Sequence, residues 1–290
     1  MMTRQARRVL RSLLGGQRCT PMASVFDPIS SRIAADLGYE AALMGGSIAS
    51  HAVLGAPDLI LLTLGELAEQ VHRAARASSV AIVVDGDHGY GNALNVMRTI
   101  EELDAAGAAG VMIEDTLLPR PYGASDAAAL IPLDEAVGKM RAAVAARGES
   151  DLVVFARTGA ASLGRVEDAI ERFRAFESTG VDGLFLPGVR SADELRRIGE
   201  AVRLPLVAGG VPDALARPDD LAGLGVRLFS TGHQPFSVAV NALHLAMKAV
   251  RDGQPSGALA GMPAKGLLDG ITRSADYADF IRRFMGGAAR

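Results

Sequence analysis

Ala105-Ala-Gly-Ala-Ala-Gly-Val-Met-Ile113 decides the fold. A helical pattern runs into a glycine, and a short unbroken apolar run follows. Three other stretches repeat the design: Asp36-Leu-Gly-Tyr-Glu-Ala-Ala-Leu-Met44, Ser178-Thr-Gly-Val-Asp-Gly-Leu-Phe-Leu186 and Gly223-Leu-Gly-Val-Arg-Leu-Phe-Ser230. Glycine just after a helix suits the left-handed C′ position. An apolar run without alternation suits a parallel strand covered on both faces. Residues 22–26, 81–84, 152–156 and 205–208 have the same strand character, which makes eight strands.

Helical patterns lie between them. Leu64, Leu67, Ala68 and Val71 recur at three- and four-residue spacing, as one face of a helix does. Residues 92–106 and 166–178 repeat that spacing; 134–146, 193–202 and 213–224 are shorter or weaker. Strand and helix alternate throughout, which demands parallel strands with crossover helices. Eight such units in roughly 220 residues match an α/β (β/α)₈ TIM-type barrel. No linker or composition break divides the chain, so residues 1–290 are expected to be one barrel domain. An amphipathic helix precedes the first strand. A helical tail follows the last one, with patterns over 235–251 and 267–284.

Composition excludes several classes. The 290 residues carry a formal net charge of −3, against the basic face usual in nucleic-acid binders. The single cysteine, Cys19, rules out a disulfide framework or a cysteine-rich zinc site. No apolar run approaches the ~20 residues that span a bilayer, and the Arg-rich N-terminus lacks the apolar core of a signal peptide. A cytoplasmic protein is expected, with neither nucleic acid nor membrane as partner.

In a barrel of this kind chemistry sits at the C-terminal strand ends. Those ends read Phe26-Asp27, Gly45-Gly46-Ser47, Asp85-Gly86-Asp87-His88-Gly89, Glu114-Asp115, Arg157-Thr158, Pro187-Gly188, Gly209-Gly210 and Ser230-Thr231-Gly232-His233. Asp85, Asp87 and Glu114 make an oxygen-rich place for a hard divalent ion, which takes few carboxylates and keeps several waters. Helix capping is the plainer reading for either aspartate alone. Arg157 suits bidentate capture of a carboxylate, or an ion pair with one of these acids. Gly45-Gly46-Ser47 offers open N–H groups beside a hydroxyl, a weak oxyanion signal. His233 either donates to a substrate oxygen or packs at the strand end. His88 either bonds in the metal loop or stabilises it. Asp115 is the structural member of its pair or a second acid. Lys139, in a helical pattern, is expected at the surface, and Cys19 has no evident base.

Together these strings resemble the isocitrate lyase/phosphoenolpyruvate mutase superfamily. They are Ser24-Val-Phe-Asp-Pro-Ile-Ser-Ser-Arg-Ile-Ala34, Gly45-Gly-Ser-Ile-Ala-Ser50, Asp85-Gly-Asp-His-Gly-Tyr-Gly-Asn-Ala-Leu-Asn-Val-Met-Arg98, Glu114-Asp-Thr-Leu-Leu-Pro119 and Ala156-Arg-Thr158. They look most like its oxaloacetate decarboxylase branch. The resemblance implies a barrel, often with its last helix exchanged between subunits, in a homotetramer. It implies Mg²⁺ or Mn²⁺ held by Asp85, with Asp87 and Glu114 near, partly through water. It also implies a 2-oxo dicarboxylate substrate contacted by Gly46, Ser47, Arg157 and His233. Asp85, Arg157 and His233 then carry catalysis, with Asp58 and His88 as second-tier members. The expected reaction is decarboxylation of oxaloacetate to pyruvate and CO₂ through a metal-stabilised enolate.

The chain departs from the superfamily in places. The lyase branches have a cysteine in the loop after strand four; Thr116-Leu-Leu-Pro-Arg-Pro-Tyr-Gly-Ala-Ser-Asp126 has none. It also lacks the asparagine of the mutases. Gly159 and Gly209 replace larger residues at site-facing positions, and they are expected to leave room for a bulkier substituent. The alternatives are therefore another lyase, hydrolase or mutase of the superfamily, acting on a different 2-oxo or 2-hydroxy diacid of the phosphonopyruvate or methylisocitrate type. More remote is a barrel that binds a dicarboxylate without turning it over.

Overall fold

The computed structural model describes residues 2–124 and 128–286. Its contacts divide the chain into two compact units, 1–232 and 233–290. The first unit opens with α1 (Met2–Gly15), β1 (Thr20–Ser24), α2 (Pro28–Asp36), β2 (Ala41–Met44), α3 (Gly46–Leu54) and α4 (Leu64–Ala75). It continues through β3 (Ala81–Asp85), α5 (Ala93–Ala106), β4 (Gly110–Glu114), α6 (Leu133–Arg147), β5 (Val153–Arg157) and α7 (Val166–Glu177). It ends with β6 (Gly183–Pro187), α8 (Ala192–Ala201), β7 (Leu206–Gly209), α9 (Pro218–Gly223) and β8 (Val226–Phe229). All eight strands pair in parallel in sequence order, and β1 closes on β8 through Thr20↔Leu228 and Pro21↔Phe229. The expected (β/α)₈ barrel is what forms.

The repeated glycines do what their position implied. Gly38, Gly107, Gly180 and Gly225 all have left-handed backbone, φ +83°, +99°, +90° and +84°. Each turns the chain from a helix towards the next strand at a conformation that disfavours a Cβ. Two apolar layers follow from strands covered on both faces. Leu43, Val83, Met112, Phe155, Phe185, Val207 and Leu228 fill the barrel interior, joined by Ala6, Leu10, Leu13 and Leu14 of α1. The apolar face of the amphipathic first helix thus plugs the interior. A second layer, including Val84, Ile100, Ile113, Met140, Phe173 and Leu195, packs strands against helices.

Several boundaries differ from the sequence pattern, each for a local reason. The first strand occupies Thr20–Ser24 rather than 22–26. The amides of Phe26 and Asp27 instead donate to Ser30 Oγ at 2.9 and 3.0 Å, and Asp27 caps α2 in a capping box. The helix expected over 213–224 shrinks to α9, because 212–217 form successive tight turns and Pro218 begins the helix. One short helix, α3, falls outside the expected set.

The second unit contains α10 (Gln234–Arg251), α11 (Leu267–Thr272) and α12 (Ser274–Phe284). The pattern over 267–284 reads as one helix, but Arg273 at φ +62° breaks it. No described residue of α10 is buried, and Val238, Val240, Leu243, Leu245, Met247 and Val250 are exposed. The one-domain expectation ran across the boundary at His233.

Candidate active site

Three adjacent strands deliver the acids and their counter-charge. Asp85, Glu114 and Arg157 are the last residues of β3, β4 and β5, and Glu114 stands level with Arg157 across the ladder. Arg157 Nη1 donates to Asp85 Oδ2 at 2.5 Å. Its Nε lies 3.2 Å from Glu114 Oε2, close enough for an ion pair. The N–H direction is wrong for a hydrogen bond, so Nε is a buried donor without a partner. Thr116 Oγ1 donates to the same Glu114 oxygen at 2.9 Å.

Asp87 comes from the turn after β3, where its backbone sits at φ +47°. Its amide donates to Asp85 Oδ1 at 3.1 Å, and its carbonyl accepts from the Glu114 amide at 2.8 Å. Its carboxylate lies against Gly46: a Cβ there would come 2.5 Å from Asp87 Oδ1. Gly46 opens α3, whose N-cap Gly45 supplies no side-chain cap. The Asp87 carboxylate therefore stands at an uncapped helix N-terminus, where negative charge is favoured. Gly46 first serves to admit Asp87, and Ser47 follows it in the first turn.

The electrostatics are those of too much negative charge around one cation. Burial, then the charges of Asp85 and Glu114, hold the Asp87 carboxyl well above the usual range. Burial also raises Glu114, with Arg157 opposing. Arg157 is desolvated, yet Asp85, Glu114 and Asp87 keep its pKa above the ordinary value. Asp58, solvent-exposed in the segment after α3, is raised by crowding protein and then by the Asp85 charge.

These residues suit a hard cation. Among the described residues no three His, Cys, Asp or Glu side chains converge as a ready-made cage. Arg157 stands between Asp85 and Glu114 instead. A small divalent ion needs no cage, since it keeps most of its waters and takes one or two carboxylates. The donor set is all oxygen, and three acids share one guanidinium. A dication among Asp85, Asp87 and Glu114 would relieve that imbalance.

Other residues have different roles. Asp115 is fully buried and pairs with Arg172 Nη1 at 3.0 Å, which makes it the structural member of its pair. The His88 ring is buried, its Nδ1 has no partner, and burial lowers its pKa to about 4. Its ring is tilted against that of Tyr90, 5.9 Å between centroids, and its carbonyl accepts from Lys139 Nζ. The Cys19 thiol is buried and pushed up to about 12, as befits an inert residue. His233 is the N-cap of α10 and belongs to the second unit.

The model of one protein family, described as phosphoenolpyruvate phosphomutase, matches residues 10–251. The chain belongs to that family. Within the phosphoenolpyruvate mutase family, a relative from Paraburkholderia xenovorans (strain LB400), named oxaloacetate decarboxylase, is 57% identical over 283 residues. That match covers 98% of this chain and 95% of the relative. A second oxaloacetate decarboxylase, from Bradyrhizobium diazoefficiens, is 50% identical over 276 residues, 95% of this chain and 96% of its own length. The solved structure of oxaloacetate acetylhydrolase with 3,3-difluorooxalacetate superposes with a TM-score of 0.85 at 27% identity, covering 99% of both chains. Phosphonopyruvate hydrolase with oxalate and Mg²⁺ gives 0.84 at 26% identity, covering 97% of this chain and 99% of its own.

Two readings of this family member need correction. Gly209 does not open space. A Cβ there would lie 2.7 Å from Phe185 Cζ, so the Phe185 ring fills the gap, with the Arg157 guanidinium 5.9 Å from its centroid. Gly159 does face room, its nearest neighbours being Leu130 and Thr116 at 3.9 Å. Of the loop that carries Thr116, Ser125 and Asp126 lie outside the described residues. Lys139 is not at the surface: it is 3% exposed, and its Nζ donates to the His88 carbonyl at 3.0 Å. Its spacing could have revealed this, because Ala136, Lys139, Met140 and Ala143 form the buried stripe of α6.

Proposed function

We propose that this protein is a carbon–carbon lyase that decarboxylates oxaloacetate to pyruvate and CO₂ with a divalent cation, Mg²⁺ or Mn²⁺. The observation that carries the reading is Arg157, a guanidinium held between Asp85 and Glu114 with its buried Nε making no hydrogen bond. The names of the relatives at 57% and 50% identity agree with it. So does the phosphonopyruvate hydrolase structure, a complex with oxalate and Mg²⁺.

Loss of CO₂ from a 3-oxo acid leaves an electron pair that spreads onto the 2-oxo oxygen as an enolate. A divalent ion held by Asp85, Asp87 and Glu114 would supply Lewis acidity toward that charge. Arg157 holds a substrate carboxylate and sets its orientation, with its remaining donors aimed by Asp85 and Glu114. The first-turn amides of α3 with the Ser47 hydroxyl add donors to the developing charge. The donor role that the family resemblance implies for His233 is tested by His233→Gln. No general acid is needed for the C–C cleavage itself, in keeping with a 116–124 loop free of cysteine; the enolate then takes a proton at C3 from water to give pyruvate. The Phe185 ring beside Arg157 favours a compact diacid over a bulky one. Asp58 tunes the mouth through its charge.

A second reading has one specific support, the likeness to oxaloacetate acetylhydrolase, which in another structure is held with the product oxalate. Product analysis separates the two. Purified protein with Mg²⁺ and oxaloacetate should give pyruvate and CO₂ above a metal-only control. Oxalate with acetate instead would replace the decarboxylase reading with the hydrolase one. Turnover of neither kind with tight oxalate binding would point to a non-catalytic barrel.

The proposal extends to assembly and place. The exposed apolar residues of α10 support a homo-oligomer, a tetramer on the family resemblance. No helix among the described residues is long and apolar enough to cross a membrane, and we place the protein in the cytoplasm.

A further inference from the structure

The turn after β3 is an expensive piece of backbone. Asp87, Gly89, Tyr90 and Gly91 all have positive φ, at +47°, +77°, +58° and +146°. Two of them are not glycine, and such residues persist only where their surroundings over-determine them. Four successive carbonyls show how. Gly86 O accepts from the Gly89 amide at 2.9 Å, and Asp87 O from the Glu114 amide at 2.8 Å. Gly89 O accepts from Thr99 Oγ1 at 3.1 Å. His88 O accepts from Lys139 Nζ at 3.0 Å, 51 residues away on α6.

Lys139 is the unusual member. Its ammonium is buried, and burial pulls its pKa below the ordinary value, with Glu135 and Glu114 opposing. A neutral donor would meet a carbonyl at lower desolvation cost. What an ammonium adds is positive charge behind a turn that carries Asp85 and Asp87 and abuts Glu114.

We infer that Lys139 is a positioning residue: it locks the Asp85–Gly89 turn through the His88 carbonyl, so that the Asp87 carboxylate stays seated against Gly46. The functional consequence rests on the reading of these acids as the surroundings of a divalent cation.

The test compares wild type, Lys139→Met and Lys139→Arg in two ways. Hydrogen exchange of metal-free protein, read by mass spectrometry over residues 85–92, should quicken about tenfold or more in Lys139→Met, with the far strands unchanged. The Mn²⁺ dissociation constant, read by electron paramagnetic resonance, should rise about tenfold or more. The turnover number at saturating Mn²⁺ should stay within about threefold, because the loss is in binding rather than chemistry. Lys139→Arg, which keeps charge and donors, should recover most of both. If the methionine variant fails to fold, Lys139→Gln carries the same comparison.

A folded variant with wild-type exchange over 85–92 and wild-type Mn²⁺ affinity would overturn the inference. So would exchange quickened throughout the barrel with Mn²⁺ affinity unchanged, the mark of a merely structural lysine. Should wild type bind no Mn²⁺, the cation reading fails on its own, and the exchange arm still decides whether Lys139 locks the turn.

Discussion

Arginines stand at both ends of the barrel, and they are treated in opposite ways. At the N-terminal end Arg7 and Arg11 of α1 each make three hydrogen bonds, with every guanidinium nitrogen engaged. Arg7 donates to the carbonyls of Ala108 and Asp104 and to Ser150 Oγ, at 2.9 to 3.0 Å, and pairs with Asp104. Arg11 reaches Asp182 and the carbonyls of Asp151 and Leu152, each at 2.9 Å. At the C-terminal end one guanidinium serves Asp85 and Glu114, Asp87 crowds in, and Nε, ion-paired with Glu114, makes no hydrogen bond. Where every guanidinium nitrogen finds an acceptor, the arrangement secures the fold. Where acids outnumber cations and a donor is left over, the polar groups are arranged for something that arrives later. Barrel enzymes divide labour along the same axis, stability at the N-terminal face and chemistry at the other.

The sharpest way to break this contrast is to relieve the crowding. Asp87→Asn keeps a residue that tolerates positive φ and removes a charge. We expect kcat/KM to fall on the order of 10²–10³-fold, while metal-free protein becomes more stable at neutral pH. The sign follows from linkage. The folded state holds the Asp87 proton above its unfolded value of 3.8, so the folded form binds more protons and stability falls as pH rises through that window. The variant should lose that part of the slope in thermal melts. A variant both inactive and less stable would make Asp87 a structural acid.

Gly46→Ala asks whether Asp87 must sit where it does. Its Cβ would meet the carboxylate at 2.5 Å, and we expect activity to drop about tenfold to a hundredfold from misplacement alone. Full activity would show that the Asp87 seat is dispensable. Arg7→Met tests the other end. It leaves buried carbonyls unmet, so denaturant unfolding should show a loss of about 2 kcal/mol, with the activity of the folded fraction unchanged. A fall in kcat/KM would erase the division between the two ends.

The smallest effect is expected at His88. Its folded pKa of about 4 lies below its unfolded value of 6.5, so the unfolded state takes up the proton first. Stability should therefore fall as pH drops from 6.5 to 4. His88→Gln should flatten that part of the pH–stability curve. An unchanged curve would mean that the ring does not titrate in this way.

The two ends also differ in how readable they are from sequence. The barrel was legible because its signals are local: a glycine at C′, an unbroken apolar run, and a helix at 3.6-residue spacing. The acids and Arg157 were legible because a parallel barrel brings strand ends together whatever their separation in the chain. What escaped depends on packing between elements. Gly209 read as open space, because nothing local reveals that Phe185 on the next strand turns its ring into it. Lys139 read as exposed because of its charge, although its spacing put it on the buried stripe of α6. The acid pair Glu114-Asp115 stayed ambiguous until Arg172, 57 residues further on, proved to be the partner of Asp115.

The central claim is that the crowded strand-end acids work through a divalent cation. It is tested most directly by following oxaloacetate loss in protein stripped with EDTA, then restored with Mg²⁺, beside the same Mg²⁺ without protein. We expect background rates for the stripped protein and recovery far above the metal-only control on restoration. Stripped protein that still outpaces buffer would contradict it.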